Sequence, residues 1–201
     1  MLVIDAPTTS ASVAAGVTPA LKAAGIASSV AVMQAMTSTA RFNAYVDTLP
    51  RATADLVHRP RLPQSFVELE LSDPLLRCAV DGLFDGDLRQ LFELGRRQLR
   101  NDMSGIYRVF LRVASPAFVA DRAAAIYAVY GRGLGTMTAR HQTPRSFDLV
   151  VMDRPLPSPA LFEYLRGSIC GALELTGVRD LQVAATPLQA AGSCRFRASW
   201  T

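Results

Sequence analysis

The chain has 201 residues, half of them hydrophobic and 19% charged, with a formal net charge of +4. That is enough apolar material for a sizeable core and too little charge for a disordered chain. The basic residues are almost all Arg, with Lys22 the only lysine, and the densest run (Arg96, Arg97, Arg100) is flanked by Glu93 and Asp102. A nucleic-acid partner would want a contiguous basic face, so none is expected. Cys78, Cys170 and Cys194 are too few and too widely spaced for a disulfide framework or a closed zinc site. They read as reduced, buried thiols of a cytoplasmic protein. Asp5 interrupts the only early apolar run, and no stretch approaches the ~18 apolar residues of a membrane span.

Residues 1–28, rich in Ala, Ser, Thr and Gly, read as a partly flexible N-terminal extension ahead of a single domain over 29–201. From Ser28 to Tyr45, Val30, Val32, Met33, Met36, Ala40 and Phe42 approximate one helical stripe. Pro50, Pro60 and Pro63 leave room for only a short helix in RATADLVH. FVELEL reads as a strand with Glu68 and Glu70 on one face, and Ser72-Asp73-Pro74 as a helix start. Further helices are expected from Asp85 or Asp87 through Leu99, from Met103 to Val113, and from Ser115-Pro116 to Gly131.

The period then changes. Thr136 to His141 alternates as a strand does, and SFDLVVM (146–152) makes a second, joined to it as a hairpin. Ser158-Pro159 opens a long helix to Gly177, and Leu181–Thr186 and Cys194–Trp200 are two further strands. The sum is an α+β fold, a helical layer packed on a small, mainly antiparallel C-terminal sheet.

Catalytic constellations are scarce. His58 and His141 stand alone, and no nucleophile elbow, zinc-protease pair or phosphate loop is present. Gly131-Arg132-Gly133-Leu134-Gly135 follows a helix instead of a strand, the wrong order for dinucleotide binding, and reads as a helix stop and a turn. No catalytic residue, metal ligand or cofactor is assigned. The long helix carries small residues around Gly167 and Gly171, each glycine costing about 1 kcal/mol relative to alanine. Such a stripe marks a close approach, either of another element or of a ligand. In the second case Tyr107, Phe110, Tyr127, Tyr130, Phe162, Gly167 and Gly171 would wall a pocket.

Several motifs follow one another in a fixed order. They are Leu94-Gly95-Arg96-Arg97, Ser115-Pro116, Tyr130-Gly131, Tyr164-x-x-Gly167-x-x-x-Gly171-x-x-Glu174-x-x-Gly177 and Cys194-x-Phe196-x-x-x-Trp200. From about Leu88 to Trp200 the chain thereby resembles the superfamily of 4-vinyl reductase domains, aromatic-effector sensor domains and haem-nitric-oxide/oxygen-binding domains. Within it, the chain is most similar to an uncharacterised family of single-domain myxobacterial proteins. The resemblance implies a pocket between helices and sheet for a small, largely apolar ligand. Zinc-binding members use several cysteines near the final hairpin, where this chain has only Cys194. Haem-binding members use a helical histidine and a Tyr-x-Ser-x-Arg run, which this chain lacks. The expectation is therefore a non-enzymatic, cytoplasmic sensory or regulatory module that binds a small hydrophobic molecule. The alternative is a protein–protein adaptor or assembly module with a collapsed pocket, and a homodimer is compatible with either.

Overall fold

A computed structural model describes residues 16–103 and 114–201. Its N-terminal part is mainly helical, with α1 (Ala23–Met36), α2 (Thr39–Thr48), α3 (Arg51–His58), α4 (Leu69–Arg77), α5 (Ala79–Gly82) and α6 (Arg89–Asp102). Strand β1 (Ala20–Lys22) lies between β2 (Phe66–Glu68) and β3 (Gly131–Arg132) in a small antiparallel sheet. Helix α7 (Pro116–Tyr130) leads into β3 and the β4 (Thr136–Thr143)/β5 (Ser146–Met152) hairpin. Then come α8 (Pro159–Glu174), β6 (Gln182–Pro187) and β7 (Cys194–Ser199), and the main sheet is antiparallel in the order β4-β5-β7-β6. The α+β arrangement expected from the sequence is the one observed.

Helix starts follow their capping residues. Ser115 and Ser158 each precede a proline and accept a hydrogen bond from the backbone N–H three residues on, that of Phe118 and that of Leu161. The sheet follows the two-residue period: Phe147, Leu149 and Val151 of β5 and Cys194, Phe196 and Ala198 of β7 are buried against Leu173 and Ile169 of α8. A separate core joins Met33, Phe42, Tyr45, Leu83, Leu91 and Leu94 among the N-terminal helices. Trp200 is half-buried and packs at a tilt against Phe147, 5.7 Å between ring centroids.

Three local expectations change. The stripe from Ser28 to Tyr45 is two helices, broken at Thr37 where Ser38 caps α2 by accepting from the Arg41 N–H. FVELEL is a strand only to Glu68; helix α4 starts at Leu69 and carries Pro74 inside it, so Glu68 and Glu70 share no strand face. Burial of Leu69 and Leu75 offsets the backbone bond that the proline removes. The segment assigned to an N-terminal extension includes β1 and the start of α1, with Ala20, Ala23 and Ile26 buried. The helix expected over Met103–Val113 lies almost wholly outside the described residues.

On the opposite face of the sheet, Asp148 sits directly across from Arg197, whose Nε and Nη2 donate to its carboxylate at 2.8 and 2.9 Å. These hydrogen bonds, against the opposing effect of burial, hold the Asp148 carboxyl below its ordinary range. A depressed carboxylate contributes stability above its unfolded-state pKa and loses it as pH falls through the folded value. Arg197 is half exposed, so water screens the pair and its contribution is modest. Asp148→Asn should therefore be less stable than the wild type at pH 7, with the gap closing below about pH 4. Urea melts at pH 7 and pH 3 check this; an equal gap at both would contradict it.

Candidate functional site

A cavity of about 200 Å³ opens where the helical layer meets the sheet. Ile26 and Met33 of α1, Leu75 of α4, Leu99 of α6, and Val119, Ala123 and Ile126 of α7 form one side. Met137 of β4, Phe147 and Leu149 of β5, and Leu161, Leu165, Ile169 and Leu173 of α8 form the other. The wall is overwhelmingly apolar because each element turns its buried stripe toward the same space.

Polar groups gather at a few points. Gln98 is the hub of one network: its Nε2 donates to the Gly25 carbonyl at 3.0 Å, and its Oε1 accepts from Ser29 Oγ and Tyr164 OH at 2.6 and 2.7 Å. Asp102 accepts from Ser28 Oγ and, at 3.2 Å, from Tyr130 OH. Tyr127 OH donates to the Leu134 carbonyl at 2.9 Å. Burial pushes the Tyr164 phenol up to about 12 and raises those of Tyr127 and Tyr130. All three stay neutral donors near pH 7.

Arg154, in the wall just beyond β5, is only 5% exposed. Its Nε and Nη1 have no hydrogen-bond partner among the described residues. Burial holds its guanidinium below the ordinary range, while Tyr127, Asp73 and Tyr164 act the other way.

Of the residues expected to wall a pocket, Tyr127 and Tyr130 do line this cavity. Tyr107 and Phe110 lie outside the described residues. Phe162, Gly167 and Gly171 are elsewhere. Phe162 packs edge-on against Phe196, centroids 6.4 Å apart. The two glycines seat α8 on α6: a Cβ at Gly167 would fall 1.9 Å from the Phe92 carbonyl oxygen, and one at Gly171 2.5 Å from that of Arg96. Gly95 does the same from the other side, against the Tyr164 carbonyl. The small-residue stripe is thus a helix–helix seam, and the close approach comes from another element. Glu174 reinforces the seam by binding Arg96 and Arg100, two of the three arginines of the basic run.

Sequence reasoning missed Gln98, Asp102 and Arg154. Nothing in Met152-Asp153-Arg154-Pro155 distinguishes a buried arginine from an exposed one, since the residues that share the cavity wall with it come from distant parts of the chain. Among the described residues, no group of three or more His, Cys, Asp or Glu side chains could hold a metal ion. Cys170 and Cys194 are buried thiols pushed up to about 11 by desolvation, far from nucleophilic at neutral pH.

No protein-family model matches the sequence, and no curated protein matches it. The likeness is to solved structures, and it defines a class by fold. A mutant H-NOX protein from K. algicida, in the unliganded Fe(II) form, superposes with a TM-score of 0.69 at 11% identity, over 90% of this chain and 97% of that one. An oxygen-binding H-NOX domain related to soluble guanylate cyclases, in its oxygen complex, gives 0.63 at 9% identity, over 90% and 95%. A structure concerned with haem distortion in the H-NOX family gives 0.67 at 10%, over 90% and 95%. This chain has the H-NOX fold, as its motifs led one to expect. Among the described residues, no helix is long and apolar enough to cross a membrane.

Proposed function

We propose that the protein is a non-enzymatic sensory or regulatory module that binds a small hydrophobic molecule in the cavity between its helices and its sheet. The observation that carries this reading is the apolar cavity itself, walled by both layers of the fold. Affinity would come from removing the ligand's apolar surface from water, at about 25 cal/mol per Å². Tyr127, Tyr130 and Arg154 are the groups placed to orient it. We extend the kinship to the 4-vinyl reductase-type and aromatic-effector domains on the motif order, and place the protein in the cytoplasm on its three free cysteines. We count β1 as part of the folded body, since it pairs with both β2 and β3.

Haem, which the structurally similar domains are described with, does not fit these residues. The chain has only two histidines. His58 ends α3 and is exposed, and His141 on β4 is exposed and bound to Asp121 at 2.7 Å, so neither enters the cavity wall. No cysteine lines it, and the phenols of Tyr127, Tyr130 and Tyr164 are engaged as neutral donors. Among the described residues no histidine or cysteine faces the cavity and its tyrosines are already engaged, so the ligand we propose is organic and metal-free.

A thermal-shift screen against small aromatic and aliphatic molecules tests this. A ligand at 100 times its Kd adds about 2.7 kcal/mol. For a chain of this length that is roughly 5–10 °C in Tm. A uniform absence of shift would reject the ligand reading and favour the adaptor.

A further inference from the structure

The cavity has one feature that an apolar ligand alone leaves unexplained. Arg154 is buried in its wall with two guanidinium nitrogens unpartnered among the described residues. The other buried polar side chains are satisfied: Thr53 by Leu71, Ser72 by Glu68 and Leu69, Gln98 by its network, Asp148 by Arg197 and Ser193 by Ala191. Buried charges are ordinarily paired, because an unpaired one keeps its full desolvation penalty.

Neighbouring carboxylates do not fill this role. Asp73, the acidic group that acts on Arg154, bonds Arg77 Nε at 3.1 Å. Asp102 is occupied by Ser28 and Tyr130. Nor is the arginine's position accidental. Its backbone N–H donates to the Gly192 carbonyl at 2.9 Å, and a Cβ at Gly192 would lie 2.2 Å from the Arg154 carbonyl oxygen. Asp153, at φ 55°, turns the chain out of β5 into this seat. The backbone is clamped so that the side chain reaches the cavity.

We infer that the physiological ligand is an amphipathic carboxylate whose apolar body fills the cavity and whose head group pairs with Arg154. This deepens the proposed function and rests on it. A single buried guanidinium balances one negative charge; a phosphate, at about −1.5 to −2, would leave an excess in an apolar wall. A monoanion is therefore the match.

The test compares decanoate, decan-1-ol and decyl phosphate, each below its micelle concentration, on the wild type and on Arg154→Met, by calorimetry and thermal shift. Decanoate should bind the wild type about 10- to 100-fold more tightly than decan-1-ol, the worth of a hydrogen-bonded charge. Arg154→Met should abolish that preference, retain the alcohol, and melt no lower than the wild type without ligand, since it removes an unpaired charge. Arg154→Gln serves the same purpose should the methionine variant not fold. Equal binding of acid and alcohol would overturn the carboxylate while leaving the cavity reading intact. An acid preference that survives in the variant would overturn the role of Arg154. Decyl phosphate binding more tightly than decanoate would overturn the choice of head group. Failure of all three to bind the wild type would remove both readings together.

Discussion

Gly167→Ala should lower stability by roughly 3 kcal/mol, at the upper end of what overpacking costs. Alanine is the better helix former by about 1 kcal/mol, so on propensity alone the change would stabilise. Packing reverses the sign. The new Cβ would lie 1.9 Å from the Phe92 oxygen, 2.7 Å from its carbonyl carbon and 2.9 Å from its Cα. All of these are backbone atoms of α6, which cannot rotate aside as a side chain end would. Helices α6 and α8 must separate, and the Gly95 and Gly171 contacts along the same seam loosen with them. Tm should fall by roughly 6–12 °C. A denaturant melt with an unchanged midpoint would mean that the seam is not as close as described.

Ala123→Phe should have the opposite character: little change in the stability of the free protein and loss of ligand-induced stabilisation. Ala123 lies on the inner face of α7 and lines the cavity. A phenyl ring there occupies space that is otherwise free, so the usual penalty for enlarging a core residue is largely avoided. The same ring excludes the ligand. The 2.7 kcal/mol expected of a ligand at 100 times its Kd should therefore disappear. Retention of the full shift in this variant would put the binding site elsewhere.

The architecture was legible where local chemistry and period agree. Serine-proline at 115–116 and 158–159 marks both C-terminal helix starts, and the alternation in SFDLVVM and CRFRAS gives the central strands. Legibility failed where tertiary burial overrides local signals. Pro74 sits inside α4 because Leu69 and Leu75 are buried, and no local rule weighs those leucines against a proline. The site was half visible. Tyr127 and Tyr130, expected as pocket walls near the end of α7, do line the cavity. Gly167 and Gly171 signalled a close approach, but a sequence does not say whether a helix or a ligand makes it. Arg154 carried no signal at all, since the cavity wall in which it is buried is assembled from distant elements, α1, α4, α7 and α8 among them.

Isothermal titration of decan-1-ol into the wild type and Ala123→Phe, at several temperatures, tests the central claim most directly. Burial of an apolar ligand in a cavity gives a negative ΔCp. The wild type should show saturable one-to-one binding with that signature, and Ala123→Phe should show none. No saturable heat in the wild type by any temperature, or equal binding by the two proteins, would contradict a ligand-binding cavity between helices and sheet.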